Sequence, residues 1–114
     1  MAKLVLHLFH NDPAALSTVP ALAERMQQAV DADRPGLEVY VFGPVEGALS
    51  ANDRAEFNAR IDSLVKLAVR VTTCIGLAQQ AGAEAAFRAR GLLLESAALA
   101  FPRFAAEGAT VVTF

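Results

Sequence analysis

Cysteine is nearly absent from this 114-residue chain, whose single thiol, Cys74, cannot close an intramolecular disulfide and, with two histidines, makes no zinc-finger spacing. A reducing compartment without a structural metal is implied, and the chain reads as cytoplasmic. Lysine and arginine are few and scattered, 10 against 12 acidic residues, so the basic stripe that a phosphate backbone needs is missing. Direct nucleic-acid binding is not expected. No segment reaches the roughly 18 to 20 apolar residues of a membrane-spanning helix. The opening MAKLVLHLFHND has one lysine, His7 inside its apolar run and no small-residue cleavage site, so it reads as a strand rather than a signal peptide. No membrane partner is expected. Also missing are the Gly-x-Gly-x-x-Gly fingerprint, the Walker lysine, the serine nucleophile elbow and any close carboxylate pair, Glu46, Glu95 and Glu107 being scattered. No cofactor is implied.

What is abundant is apolar side chain. The composition is 54% hydrophobic and 19% charged, with a mean hydropathy of +0.37. A single domain of 114 residues buries a real core but leaves much surface uncovered, so part of the apolar excess is expected in a subunit interface. A homo-oligomer is the expected state.

KLVLHLF, Lys3 to Phe9, reads as a strand buried on both faces and ended by the turn-forming HNDP. From Thr18 or Val19 to about Asp31, Val19, Leu22, Met26, Ala29 and Val30 recur at helical spacing, with Thr18 as N-cap and Pro20 in the first turn; ADRPG closes that helix. LEVYVF, Leu37 to Phe42, is a second strand ending at Gly43-Pro44. A second helix is expected from Ser50, with Asp53 completing a capping box. VRVTT then forms strand three. Two short helices, Ile75 to Ala81 and Ala83 to Arg90, precede a short fourth strand at Leu92 to Leu94. Ser96 caps a last helix to about Glu107, bent or shortened by Pro102, before the terminal strand Thr110 to Phe114. Alternating strands and helices predict right-handed crossovers and a mainly parallel five-stranded sheet between helical layers, a three-layer α/β/α single domain.

Ligands of such sheets gather at the carboxyl ends of the strands. Three segments meet that condition: HND after strand one, GPVEG after strand two and TTCIG after strand three. Cys74 stands between strand three and the next helix, whose N-terminus favours a thiolate; the same position suits a compact buried filler, and both readings stay open. His10 and Asn11 are candidate binding residues, as are Gly43 and Gly76, while Asn-Asp-Pro is also a common way to leave a strand and cap the next element. GPVEG reads as a turn. His7 reads as a satisfied core or interface histidine.

VFGPVEGAL after strand two, Cys74 with Gly82 eight residues on, and the ending ESAALAFPRFAAEGATVVTF together resemble the DsrE/DsrF-like family of small sulfur-relay proteins. The resemblance spans nearly the whole chain. It implies a flavodoxin-like domain assembled as a trimer or hexamer, with Cys74 accepting sulfane sulfur and passing it as a persulfide between a donor and an acceptor protein. Gln80 and Ala81 stand where sulfur-carrying relatives often have basic residues.

Overall fold

The computed structural model describes residues 2–29 and 35–114. Five strands, β1 (Lys3–Leu8), β2 (Gly36–Val41), β3 (Arg70–Thr73), β4 (Leu93–Leu94) and β5 (Thr110–Thr113), form one sheet in the order β4-β3-β2-β1-β5. Every strand pairing is parallel. The helices are α1 (Pro13–Gln28), α2 (Ala55–Lys66), α3 (Ile75–Gln80), α4 (Glu84–Ala89) and α5 (Ala97–Ala106). This is the three-layer α/β/α architecture that the element order implies, and it is flavodoxin-like as the resemblance implies.

The strand order distributes the helices unevenly. From β1 to β4 the chain steps in one direction, so right-handed crossovers put α1 to α4 on one face; the return from β4 to β5 runs the other way and puts α5 alone on the opposite face. Side chains alternate between the two faces along each strand. Leu6, Leu8, Val39, Val41 and Val71 join Val19, Ile61, Leu64 and Phe87 in the larger core. Val5 and Tyr40 meet Ala100 and Phe104 of α5 in a smaller one. The sparsely covered α5 face is where the strands carry polar side chains: His7, Glu38 and Thr72 are all buried there.

Two helix starts differ from the sequence expectation. α1 begins at Pro13, before Thr18, because the Asp12 carboxylate accepts the Ala15 N–H at 2.9 Å and Pro13 occupies the first turn. Pro20 therefore lies inside the helix, where it is buried with Leu16, Val19 and Ala23. The close expected at ADRPG falls largely outside the described residues. α2 begins at Ala55, after Ser50, because Pro44–Ser50 winds as a 3₁₀ helix followed by a short 3₁₀ turn, Asn52–Arg54. At three residues per turn, Val45 stacks with Ala48 and Glu46 with Leu49, and all four are buried, while Pro44, Gly47 and Ser50 face out. Asn58 stitches the junction by donating to the carbonyls of Ala48 and Arg54, both at 2.9 Å. Ser96 occupies the N-cap of α5 as expected, but its hydroxyl makes no capping bond.

Candidate functional site

With β3, β2 and β1 adjacent, the three segments at their carboxyl ends lie side by side, the loop after β2 in the middle. That loop is tied to both neighbours. Its Val45 N–H donates to the Phe9 carbonyl at 3.3 Å, and its Glu46 Oε1 accepts the Cys74 N–H at 3.2 Å.

Cys74 follows β3 in an extended conformation and caps α3, its carbonyl accepting the Ala78 N–H at 3.1 Å. The residue is 7% exposed. A Cβ on Gly76 would lie 3.8 Å from Sγ, an ordinary contact, so this glycine answers neither a positive φ nor a steric need. Tyr40 reaches the same corner from β2, donating its hydroxyl to the Glu95 carbonyl at 2.9 Å. Burial pushes its phenol well up, with Cys74 and Glu46 adding to the effect, so it remains a neutral donor.

Glu46 is the group that sequence reasoning passed over. Its residue is 5% exposed, and among the described residues Oε2 has no hydrogen-bond partner. Burial pushes the carboxyl up to about 7, against the opposing pull of the Thr73 hydroxyl and the Cys74 N–H. The shift carries a definite sign for stability. A carboxyl raised in the folded state contributes stability that is fully present below its ordinary value of 4.5 and is lost as the pH rises through about 7.

Glu46 also forms part of the wall of a cavity of about 340 Å³, with Ser50, Leu77, Gln80, Ala81 and Phe87. Gly43 belongs to the same wall. A second hollow, of about 250 Å³, opens between the starts of α1 and α2 near Pro13, Ser17, Arg54 and Arg60. Cys74 lines neither.

The other expected site residues have structural employment or none. His10 and Asn11 are exposed; the His10 N–H donates to the Phe114 carbonyl at 3.1 Å and its ring meets Phe9 edge-on. Asp12 caps α1. Gly43 adopts φ 115, ψ −152 with the Phe9 ring against its α-carbon. His7 is buried, with Nδ1 3.1 Å from the Thr113 hydroxyl and Nε2 3.4 Å from the Phe42 carbonyl, and burial holds its imidazole below the ordinary value. Among the described residues no group of three or more His, Cys, Asp or Glu side chains could hold a metal ion. Nor is any described helix long and apolar enough to cross a membrane.

A scan of family models gives no match to this sequence, and no curated protein matches it. A solved structure of a conserved protein of unknown function from Bacteroides thetaiotaomicron is similar in fold, with a TM-score of 0.73 over 96% of this chain and 94% of its own. At 8% identity the likeness is one of architecture alone.

Proposed function

We propose that the chain is a cytoplasmic sulfur-handling protein of the DsrE/DsrF-like kind, in which Cys74 takes up sulfane sulfur from a donor protein and passes it to an acceptor. The observation that carries the reading is the pairing of a thiol at the β3–α3 junction with a buried carboxyl, raised to about 7, on the backbone N–H of the same residue. In the loading step the Cys74 thiolate attacks the outer sulfur of a donor persulfide, forming the Cys74 persulfide as the donor's sulfur–sulfur bond breaks. The donor leaves as a thiolate. Glu46 takes the proton that the Cys74 thiol gives up and returns it to the departing thiolate, so no external oxidant or reductant enters.

The test is intact mass after incubation with a low-molecular-weight persulfide. The wild-type chain should gain one sulfur and Cys74→Ser none, while Glu46→Gln should load at least about tenfold more slowly near neutral pH, the low side of general-base effects. A second reading, a small-ligand-binding protein with a structural Cys74, draws on the 7% exposure of that residue and its absence from both cavity walls. Under that reading native Cys74 resists both persulfide and iodoacetamide, and Cys74→Ser loses about 1 to 3 kcal/mol of stability from its buried hydroxyl.

Assembly as a trimer or hexamer is the companion proposal. Among the described residues β5 pairs only with β1, all four of its residues are exposed, and neither lysine nor proline guards its free edge. Val111 and Val112 are exposed on that strand, as is Leu99 on α5. Light scattering at micromolar concentration should report a mass well above the 12.0 kDa of one chain, and Val112→Lys should lower it. A monomeric wild type removes the proposal.

A further inference from the structure

We propose that the cavity beside Glu46 is a binding site for a small organic cation, an amine on a compact apolar body: its ammonium pairs with the Glu46 carboxylate, of which the buried Oε2 has no hydrogen-bond partner among the described residues. The proposal holds under either reading of Cys74. A buried polar atom without a partner is rare enough in folded proteins to need a reason, and the reason here lies in what surrounds it. Glu38, Glu84, Glu95, Glu107 and Asp62 each lie within ion-pair distance of a lysine or arginine. Glu46 forms no ion pair among the described residues. Arg90, just after α4, donates to the carbonyl of Leu49, three residues along the same 3₁₀ helix, yet its other nitrogens are held by Asp62 and Asn58 at 2.8 and 3.0 Å. Among the described residues no cation is thus paired with Glu46, and a ligand can supply one.

The rest of the wall fits the same class. Glu46 is the one charged residue lining the cavity among the described residues. The Ser50 hydroxyl and Gln80 amide offer further acceptors for ammonium protons, and Leu77, Ala81 and Phe87 offer apolar surface for the body of the molecule. An anion would meet the buried carboxyl unfavourably unless that carboxyl stayed protonated. A volume of about 340 Å³ admits a molecule of single-ring size. Among the described residues the titratable groups around Glu46 are Tyr40 from β2 and Cys74 from the β3–α3 junction, and neither supplies positive charge.

Because Glu46 titrates near 7 in the free protein, an ammonium ligand must draw it into the charged form. Binding then releases a proton, and affinity rises with pH through neutrality. Titration calorimetry with benzylamine, benzyl alcohol and benzoate, at about pH 6 and about pH 8, tests this on the whole chain. Benzylamine should bind, with a dissociation constant about tenfold lower at the higher pH, the change expected for one group titrating midway. Benzyl alcohol and benzoate should bind at least about tenfold more weakly at the higher pH, each lacking the ion pair. Glu46→Gln should weaken benzylamine and flatten its pH dependence. Ala81→Leu, at an exposed position that leaves the carboxyl untouched, should fill the cavity and abolish binding, which keeps the test decisive if the Glu46 variant fails to fold. No binding of benzylamine at roughly 10 mM overturns the site, as does benzoate binding as tightly as benzylamine, or benzylamine affinity indifferent to both substitutions. Sulfur loading of Cys74 is read separately by mass, so either result can fail alone.

Discussion

Replacing Arg103 by leucine is expected to lower stability by about 3 kcal/mol or more, within the range for breaking a buried ion pair and leaving one charge behind. Glu38, in the middle of β2, has 0% exposure. Arg103 crosses from α5 to meet it with two nitrogens, at 2.7 and 3.2 Å, while Lys3 at 2.9 Å and the Thr72 hydroxyl at 3.0 Å complete its shell. Burial alone would push the Glu38 carboxyl up; the hydrogen bonds from Arg103, Lys3 and Thr72 outweigh it and hold the group below its ordinary value. Arg103 also binds Glu95 and Glu107, both at 2.9 Å, and lies over the Phe104 ring, so one side chain fastens α5 to the sheet. Leucine would leave a buried carboxylate supported only by Lys3 at 2.9 Å, the Thr72 hydroxyl at 3.0 Å and the half-exposed Arg70 at 3.5 Å among the described residues.

The pH dependence has a definite direction. Glu38 is depressed, so its contribution is present above its unfolded value of 4.5 and is lost as the pH falls through the lower folded value. Urea denaturation of wild type and Arg103→Leu should therefore diverge near neutrality and converge in acid. Glu38→Leu combined with Arg103→Leu should recover much of the loss, because apolar groups of similar size replace an ion pair without an orphaned charge. A loss below about 1 kcal/mol in the single variant, at the level of an exposed pair, would mean that the buried carboxylate does not depend on Arg103.

The strands were legible because apolar runs ended by Gly, Pro and Asn-Asp state their own limits: β1 lies inside KLVLHLF and β3 inside VRVTT, while β2 starts at Gly36, one residue before LEVYVF. Local signals failed where two of them competed. Thr18 opens an apolar helical period, but Asp12-Pro13 makes an earlier start; Ser50-x-x-Asp53 has the form of a capping box, but a three-residue burial period holds that segment as 3₁₀. Strand order was not legible, since periodicity says nothing about which strand lies beside which. Glu38 and Glu46 were hidden for that reason. Glu38 alternates with apolar neighbours as a solvent-facing residue would, and only the return crossover that lays α5 over β1 and β2 makes it interior. Glu46 had one local trace, its place beside Val45 and ahead of Ala48-Leu49, and that trace has meaning only once the segment is known to wind with three residues per turn.

Gly43→Ala is expected to cost about 2 to 6 kcal/mol, the sum of backbone strain and overpacking at about 1 to 3 kcal/mol each. The position was a candidate ligand contact, but its first duty is conformational. At φ 115, ψ −152 it lies in a region that glycine alone occupies readily. A new Cβ would stand 2.5 and 2.6 Å from two carbons of the Phe9 ring. That ring meets His7, His10 and Phe42 edge-on and has little room to withdraw. The two components separate in a double-mutant cycle. In a Phe9→Ala background the clash is gone, so the glycine substitution should cost only its backbone share, about 1 to 3 kcal/mol. Gly43 also starts the 3₁₀ helix that carries Glu46, its carbonyl accepting the Glu46 N–H at 3.0 Å. A shift of that turn would move the carboxyl away from the Cys74 N–H, so Gly43→Ala should weaken benzylamine binding even at temperatures where the variant is folded. Chemical denaturation measures the first effect and calorimetry on the folded variant the second. A variant within about 0.5 kcal/mol of wild type, the ordinary range of surface substitutions, would mean that the backbone at 43 is free to take another conformation.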